Sequence, residues 1–259
     1  MGKKTKVALS VGAAGAAAWA ASKALIRPAA RDDKQALQFE GPVVLQQLNG
    51  PEESLRLAES AAASGAHGLA MDIRLTPEEE IVLGPEHNAD SHDPLLLRDL
   101  LQAYPHLLFV VRLVDSPDTY EGSLMPSKLW KLLEECSAQD HVAVISAYDE
   151  QVDRFNLYTQ NRAAAGAGRE ELKQAYAAYT SRFGHLYKPR SDFFVLSGKL
   201  GPFQPANEGF IQFLQKLNIA VYLDNAPPET VVRLARAGVS GFLTADAAGV
   251  IGLLEPLTE

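Results

Sequence analysis

The sequence is poor in three features that would each suggest a particular function: cysteine, positive charge and long uncharged apolar stretches. Cys136 is the only cysteine among the 259 residues, so neither an intramolecular disulfide nor a cysteine-based metal cluster is possible. Lysine and arginine number 24 against 32 aspartates and glutamates, which gives a net charge of −8. Because binding to a nucleic-acid backbone depends on clustered basic residues, no nucleic-acid partner is expected. Apolar residues at 47% and charged residues at 22% exclude wholesale disorder.

The first 38 residues differ in composition from the rest of the chain. Three lysines precede residues 7–26, which are rich in alanine and glycine and carry no charge before Lys23. A basic start followed by an apolar run is typical of an export signal or a membrane anchor, although this run is shorter than the roughly 20 residues of a spanning helix. We expect membrane association or export through residues 7–26, and otherwise a cytoplasmic protein. The alternative is a soluble alanine-rich helix.

A polar stretch follows this apolar segment. Residues 28–40 predict a linker, so the chain divides into an amino-terminal segment, residues 1–38, and a single folded domain, residues 39–259.

Short apolar runs alternate with helical patterns throughout that domain. Strands are predicted at residues 42–47, 68–75, 81–83, 107–114, 141–146, 192–196, 219–223 and 240–244, with a further short strand near Leu157. The alternation favours parallel strands joined by crossover helices. About eight such units favour a closed (β/α)8 TIM barrel of the α/β class over a doubly wound open sheet, which is the alternative.

Polar residues follow several of the predicted strands. In TIM barrels the catalytic groups lie at the carboxyl ends of the strands. The candidate site residues are therefore Gln47, Asp72, Arg112, Ser146 and Asp224.

Two separated segments carry a resemblance to a known family. Residues 51–82 read PEESLRLAESAAASGAHGLAMDIRLTPEEEIV, and residues 219–246 read IAVYLDNAPPETVVRLARAGVSGFLTAD. Both resemble the glycerophosphodiester phosphodiesterases, in the same order along the chain. The resemblance implies a TIM barrel of the phospholipase-C-like phosphodiesterase type. It also implies a phosphoric diester hydrolase of lipid metabolism that uses two histidines and a divalent cation, such as Ca²⁺ or Mg²⁺, held by three carboxylates.

The sequence departs from that family at the two catalytic histidines. Gln47 stands at the first histidine and Leu48 at the arginine that would bind phosphate. The second histidine and its neighbouring acid fall at Pro85 and Glu86. Neither glutamine nor proline transfers a proton near neutral pH, so the family's acid–base chemistry is not expected.

The implied metal ligands are also mostly absent. Ala70 and Arg112 replace two of the three carboxylates, and Asp72 is the only ligand position retained. A hard divalent cation prefers six or more oxygen ligands, so no cofactor is expected. If these three positions face inward, Arg112 would take the place of the cation and form a bidentate ion pair with Asp72. The alternative is that both side chains are solvated separately.

Other residues offer weaker signals. Tyr222 stands where the family has a tryptophan at the barrel mouth, and it is predicted to line the pocket with Gln47, Asp72, Arg112 and Asp224. The segment with His87, Asp90, His92 and Asp93 matches no strong metal motif and is interpreted as a loop.

Three functions remain open after these observations. The first is a pseudoenzyme that binds or scaffolds an unknown protein, or a lipid or glycerophosphodiester-like ligand. The second is an active phosphodiesterase whose site is rebuilt from residues such as Asp72, Glu86 and Asp224. The third is a structural domain with no ligand. A polar, well-formed mouth would favour the first two functions, and an apolar plug the third.

Overall fold

The computed structural model describes residues 30–49, 51–84, 94–197 and 206–257, together with Trp19, Ser22, Lys23, Leu25 and Ile26. Its strands are β1 (Val43–Leu48), β2 (Gly68–Leu75), β3 (Ile81–Leu83), β4 (Leu108–Leu113), β5 (Val142–Ser146), β6 (Ala164–Ala165), β7 (Phe193–Leu196), β8 (Ala220–Asp224) and β9 (Gly241–Thr244). Its helices are α1 (Pro51–Ala63), α2 (Leu97–Ala103), α3 (Tyr120–Glu135), α4 (Asp149–Thr159), α5 (Arg169–Thr180), α6 (Glu208–Gln215), α7 (Pro228–Arg236) and α8 (Ala247–Leu254).

The strands form a nearly closed parallel barrel. Eight strands of the described chain pair in the order β6-β5-β4-β2-β1-β9-β8-β7, all in parallel, and β3 adds to β2 in the antiparallel sense. A single parallel bridge between Gly166 and Phe193 joins the two ends of this sheet. The (β/α)8 architecture expected from the alternation is confirmed, and the open doubly wound sheet is not what the chain adopts.

Alternation along each strand divides the core in two. On β4, Leu108 and Val110 belong to the cluster inside the barrel, while Phe109 and Val111 belong to the larger cluster between the strands and the helices. All four are buried, as expected for a strand covered on both faces. The next inward position on β4 is Arg112, so the same alternation places a charged group inside the barrel at the carboxyl end of the strands.

The base of the barrel, at the amino ends of the strands, is covered by residues 31–37, which we call the strap. Arg31 donates two hydrogen bonds, of 2.9 and 2.7 Å, to the buried carboxylate of Asp192. Lys34 is buried with its ammonium on the carbonyl of Asn161, and Ala36 belongs to the cluster inside the barrel. The linker interpretation of residues 28–40 is therefore corrected at Arg31 and Lys34, which pair with the barrel, whereas Asp32, Asp33 and Gln35 remain exposed as expected for a linker.

Two other expectations differ from the structure. Leu157 lies within α4, and the short strand is β6 at Ala164–Ala165. Alanine has little strand preference, which is why so short a pair gives no pattern to recognise. The apolar amino-terminal segment lies mostly outside the described residues. Within it, Trp19, Ser22, Lys23 and Leu25 are helical.

The described part of the amino-terminal segment contacts the base of the barrel. The hydroxyl of Ser22 lies 2.8 Å from Nε2 of His185, in the turn at Gly184–Leu186. Over the described residues, no helix combines the length and apolar character needed to cross a bilayer.

Candidate functional site

The candidate site is the mouth of the barrel, at the carboxyl ends of the strands. Gln47, Asp72 and Arg112 project there from β1, β2 and β4, and they line a pocket of ≈ 200 Å³. The floor of this pocket is apolar and consists of Ala70, Val110, Ile145 and Leu243. The mouth is therefore polar at its rim and sealed below by the core.

Asp72 and Arg112 form an ion pair within this pocket. They are direct register partners on the neighbouring strands β2 and β4, and Nη1 of Arg112 lies 3.3 Å from Oδ1 of Asp72. About a third of each side chain is exposed, at 35% for Asp72 and 38% for Arg112. The expected pairing is thus present, and the inward positions inferred from the sequence bring the two charges together.

The pairing is not bidentate, because Arg112 is shared with a second carboxylate. Nη2 of Arg112 lies 3.9 Å from Oδ2 of Asp224. Asp224 ends β8, which is four strands away from β4 in either direction around the barrel. The side-chain amide of Gln47 donates a 2.6 Å hydrogen bond to Oδ1 of the same aspartate. These four residues, Gln47, Asp72, Arg112 and Asp224, form what we call the mouth network, and it spans the opening from wall to wall.

The mouth network carries one more negative than positive charge. Burial raises the pKa of the Asp72 carboxyl above its usual value, and the nearby charge of Asp224 raises it further. The guanidinium of Arg112 acts in the opposite direction and lowers the pKa of Asp72. Arg112 thus offsets in part the cost of holding two carboxylates in one partly desolvated opening.

Two candidate residues lie elsewhere than expected. Tyr222 lies inside the barrel, only 1% exposed, with its ring 5.8 Å from that of Phe193 in an edge-to-face arrangement. Its register partner is Gly241, one inward position below the end of β8, so Tyr222 belongs to the core and does not line the pocket. The hydroxyl of Ser146 donates to the carbonyl of Leu113 and is buried, which gives it a structural role.

Some predicted positions lie outside the described residues. These are Pro85 and Glu86, at the second family histidine, and the loop residues His87, Asp90, His92 and Asp93. Their predictions stay open.

One charged residue near the mouth was missed in the sequence. Arg74 follows Asp72 by two positions on β2, so it shares the face that carries Asp72. Its side chain is buried, and its Nε has no hydrogen-bond partner in the part of the chain that the structure describes. In the sequence, only its spacing of two residues from Asp72 indicated that Arg74 lies on the same face of the strand.

The fold is similar to that of several solved structures. A glycerophosphodiester phosphodiesterase from Parabacteroides distasonis ATCC 8503 is 12% identical, with a TM-score of 0.65 over 86% of this chain and 100% of that one. The chain has the glycerophosphodiester phosphodiesterase fold. The enzyme of this name from Agrobacterium tumefaciens str. C58 is 11% identical, with a TM-score of 0.60 over 81% of this chain and 99% of that one. A third, from Thermotoga maritima, is 12% identical, with a TM-score of 0.56 over 83% of this chain and 100% of that one. No family model and no curated protein matches the sequence.

The divalent cation implied by the glycerophosphodiester phosphodiesterase resemblance does not fit these residues. A guanidinium already lies between the two carboxylates of the mouth, 3.3 and 3.9 Å from their nearest oxygens. Over the described residues, no group of three or more histidines, cysteines or acids has the spacing of a metal site. A hard cation prefers six or more oxygen ligands, and it would also meet the positive charge of Arg112. We therefore derive no chemical step through a metal in this mouth.

Proposed function

We propose that this chain is a non-catalytic protein of the glycerophosphodiester phosphodiesterase fold, whose mouth binds a partner and does not cleave a phosphodiester. The observation that carries the proposal is the position of Arg112 between Asp72 and Asp224. The guanidinium of Arg112 already neutralises both carboxylates in part, so the mouth needs no metal to hold its shape.

The composition of the mouth network also disfavours proton transfer. Gln47 stands at the first family histidine, and its amide is engaged with Asp224 at 2.6 Å. A glutamine amide neither accepts nor releases a proton at neutral pH, whereas phosphodiester cleavage needs a group that activates the nucleophile and one that protonates the leaving oxygen. Within the described residues, the mouth network offers carboxylates and a guanidinium for these roles but no imidazole.

The shape and charge of the pocket favour binding of part of a ligand. Its volume of ≈ 200 Å³ is below the roughly 300–1,000 Å³ of pockets that enclose drug-sized molecules. A polar group of a larger partner, such as a side chain or the glycerol part of a lipid-derived ligand, matches this size better than a complete diester. The polar rim also favours binding over a purely structural domain, since a mouth closed only for stability would be filled with apolar side chains.

The proposal is tested with the purified full-length chain. Calorimetric titration with Ca²⁺ and Mg²⁺ is paired with release of glycerol 3-phosphate from glycerophosphocholine, and an active phosphodiesterase of this fold serves as the positive control. The absence of both binding heat and released product would support a non-catalytic mouth. Metal-dependent turnover that disappears in Asp72→Asn would instead establish an active lipid-metabolic phosphodiesterase with a rebuilt site, and the proposal would be wrong.

A further inference from the structure

Exposed apolar side chains are concentrated at the base of the barrel. Among the described residues, the large hydrophobic side chains exposed at the ends of helices or in turns on this side are Phe39, Leu157, Tyr158, Phe183, Leu186 and Leu253. Of the mouth-end residues that the structure describes, which exclude the loops at 85–93 and 198–205, Leu55, Tyr120 and Tyr148 are comparably exposed. Scattered exposed hydrophobic residues are ordinary on a protein surface, but their segregation to one end is typical of an interaction surface.

The base also contains a largely apolar depression. It has a volume of ≈ 800 Å³ and lies between the start of β1 and the ends of α7 and α8. The apolar lining includes Phe39, Pro42, Ile251, Leu254 and Leu257, and the charged or polar lining consists of Glu40, His67, Arg236 and Glu255, so the depression itself supplies no net positive charge. A surface with both apolar projections and an apolar depression can accommodate flexible apolar chains as well as rigid side chains.

The amino-terminal segment joins the barrel at this same end. Leu25 and Ile26 are 84% and 43% exposed beside the turn that holds His185. Residues 1–31 contain six basic residues and no acidic one: Lys3, Lys4, Lys6, Lys23, Arg27 and Arg31. Arg31 is committed to Asp192, but the others supply positive charge to a chain that is strongly acidic overall.

The charge of the barrel also differs between its mouth and its base. The loops at the mouth are acidic, as with Glu78, Glu79, Glu80, Asp118 and Asp246, whereas the base has Arg162, Arg182, Lys188, Lys216 and Arg236 among roughly equal numbers of acids. An anionic surface would therefore repel the mouth and meet a base that is near neutral, with a basic segment attached to it.

We propose that the base of this barrel is a docking surface for an anionic lipid bilayer. Exposed Phe, Leu and Tyr side chains enter the interfacial region, and the basic residues of the amino-terminal segment add electrostatic attraction to anionic headgroups. The proposal does not depend on whether the mouth is catalytic. It goes beyond the expectation for residues 7–26, because it assigns part of the binding to side chains of the barrel itself.

The test is flotation of the full-length chain with vesicles of phosphatidylcholine, with and without phosphatidylglycerol. The double variant Phe183→Ser/Leu186→Ser removes apolar area at the base. The matched control Leu55→Ser/Tyr120→Ser removes comparably exposed area at the mouth end. Because burial of large apolar side chains is a main source of interfacial affinity, loss of two partly inserted side chains predicts a loss of affinity on the order of tenfold or more. We expect this loss in the base variant only, and stronger binding of wild type to vesicles with phosphatidylglycerol.

Several outcomes would overturn the proposal. Wild type that floats with neither vesicle excludes a lipid surface. Equal binding by wild type and the base variant would assign all membrane affinity to the amino-terminal segment. A concentration-dependent dimer in light scattering that the base variant abolishes, with no vesicle binding, would identify the base as a protein interface. Circular dichroism of both variants establishes that each remains folded.

Discussion

The side-chain amide of Gln47 donates a hydrogen bond of 2.6 Å to Asp224, although the two residues are 177 positions apart and β9 lies between their strands. This contact connects Gln47 at the end of β1 to the carboxylate at the end of β8, two strands away around the barrel. Arg112 approaches the same carboxylate from the opposite strand. The mouth network is therefore a continuous chain of contacts from Asp72 through Arg112 and Asp224 to Gln47, formed by protein side chains alone.

The pKa of Asp72 should respond in opposite directions to its two charged neighbours. Arg112→Met removes the cation that lowers this pKa and should raise it further, whereas Asp224→Asn removes the anion that raises it and should lower it. Titration of the side-chain carboxyl by ¹³C NMR in the two variants and wild type measures both shifts. Shifts of the same sign in both variants would contradict the described network.

Removing the charge of Asp72 should not destabilise the protein at neutral pH. Because its folded pKa is raised, the ionised carboxylate is less stable in the folded chain than in the unfolded one. This cost is present above the folded pKa and disappears as the pH falls below the usual value of about 4. Asp72→Asn should therefore match or exceed wild type in urea unfolding at pH 7, with the difference closing in acid. A variant that is less stable at pH 7 would show that the ion pair with Arg112 outweighs burial.

Arg112→Ser should create a weak divalent-cation site. The substitution leaves two carboxylates and the Gln47 amide facing one opening, and a site of few charged oxygens is expected to bind Ca²⁺ on the order of millimolar. Calorimetry should detect binding in Arg112→Ser and not in Arg112→Ser/Asp72→Asn. Arg98→Ser is the matched control, since Arg98 forms an exposed surface pair with Glu135. Absence of binding in Arg112→Ser would show that this guanidinium is not what excludes the metal.

The strap should contribute strongly to stability through one ion pair. Asp192 is only 2% exposed, and Arg31→Met would remove the one cation in contact with its buried carboxylate, leaving the more distant charge of Lys34. Breaking a buried pair on one side costs about 3 kcal/mol. Burial already raises the pKa of Asp192, and loss of Arg31 would raise it further, so the destabilisation should be largest at neutral pH and decrease in acid.

Urea denaturation of Arg31→Met over a pH series measures this effect. Arg31→Met/Asp192→Asn should recover part of the lost free energy of unfolding, because no buried charge remains unpaired. A single variant as stable as wild type would mean that the strap is dispensable. On the expected result, a chain that begins at residue 39 would be impaired in folding.

Two glycines should respond to alanine in opposite ways. A Cβ on Gly68 would lie 2.0 Å from the carbonyl oxygen of Leu108 on the neighbouring strand, so Gly68→Ala should separate β2 from β4 and prevent stable folding. A Cβ on Gly252 in α8 meets nothing within 4 Å. Gly252→Ala should therefore stabilise the chain by up to about 1 kcal/mol, through the higher helix propensity of alanine. Thermal unfolding of both variants is the measurement, and a neutral Gly68→Ala would contradict the described register.

The sequence predicted the barrel better than it predicted the contacts at its mouth. Buried strands such as residues 107–114 are continuous apolar runs, and these are visible without tertiary information. The pairing of Asp72 with Arg112 was also predictable, because adjacent parallel strands bring their last inward residues together. The contacts of Asp224 with Gln47 and Arg112 were not, since they depend on strand stagger around the whole barrel. The same stagger places Tyr222 one position lower than the family resemblance implied.

The strap was missed for a related reason. Its residues are polar, and polarity near a terminus usually indicates solvent exposure. Here Arg31 and Lys34 are retained by a buried carboxylate and by a backbone carbonyl at the base, two partners that no local pattern reveals.

The strap also determines at which end of the barrel the amino-terminal segment is attached. It closes the barrel at the end opposite the mouth, so the chain leaves the fold on the far side from Asp72, Arg112 and Asp224. Whatever holds the protein by its amino-terminal side therefore leaves the mouth facing outward, accessible to molecules that arrive from solution. If the base docks on a bilayer as proposed, the mouth would face away from that bilayer.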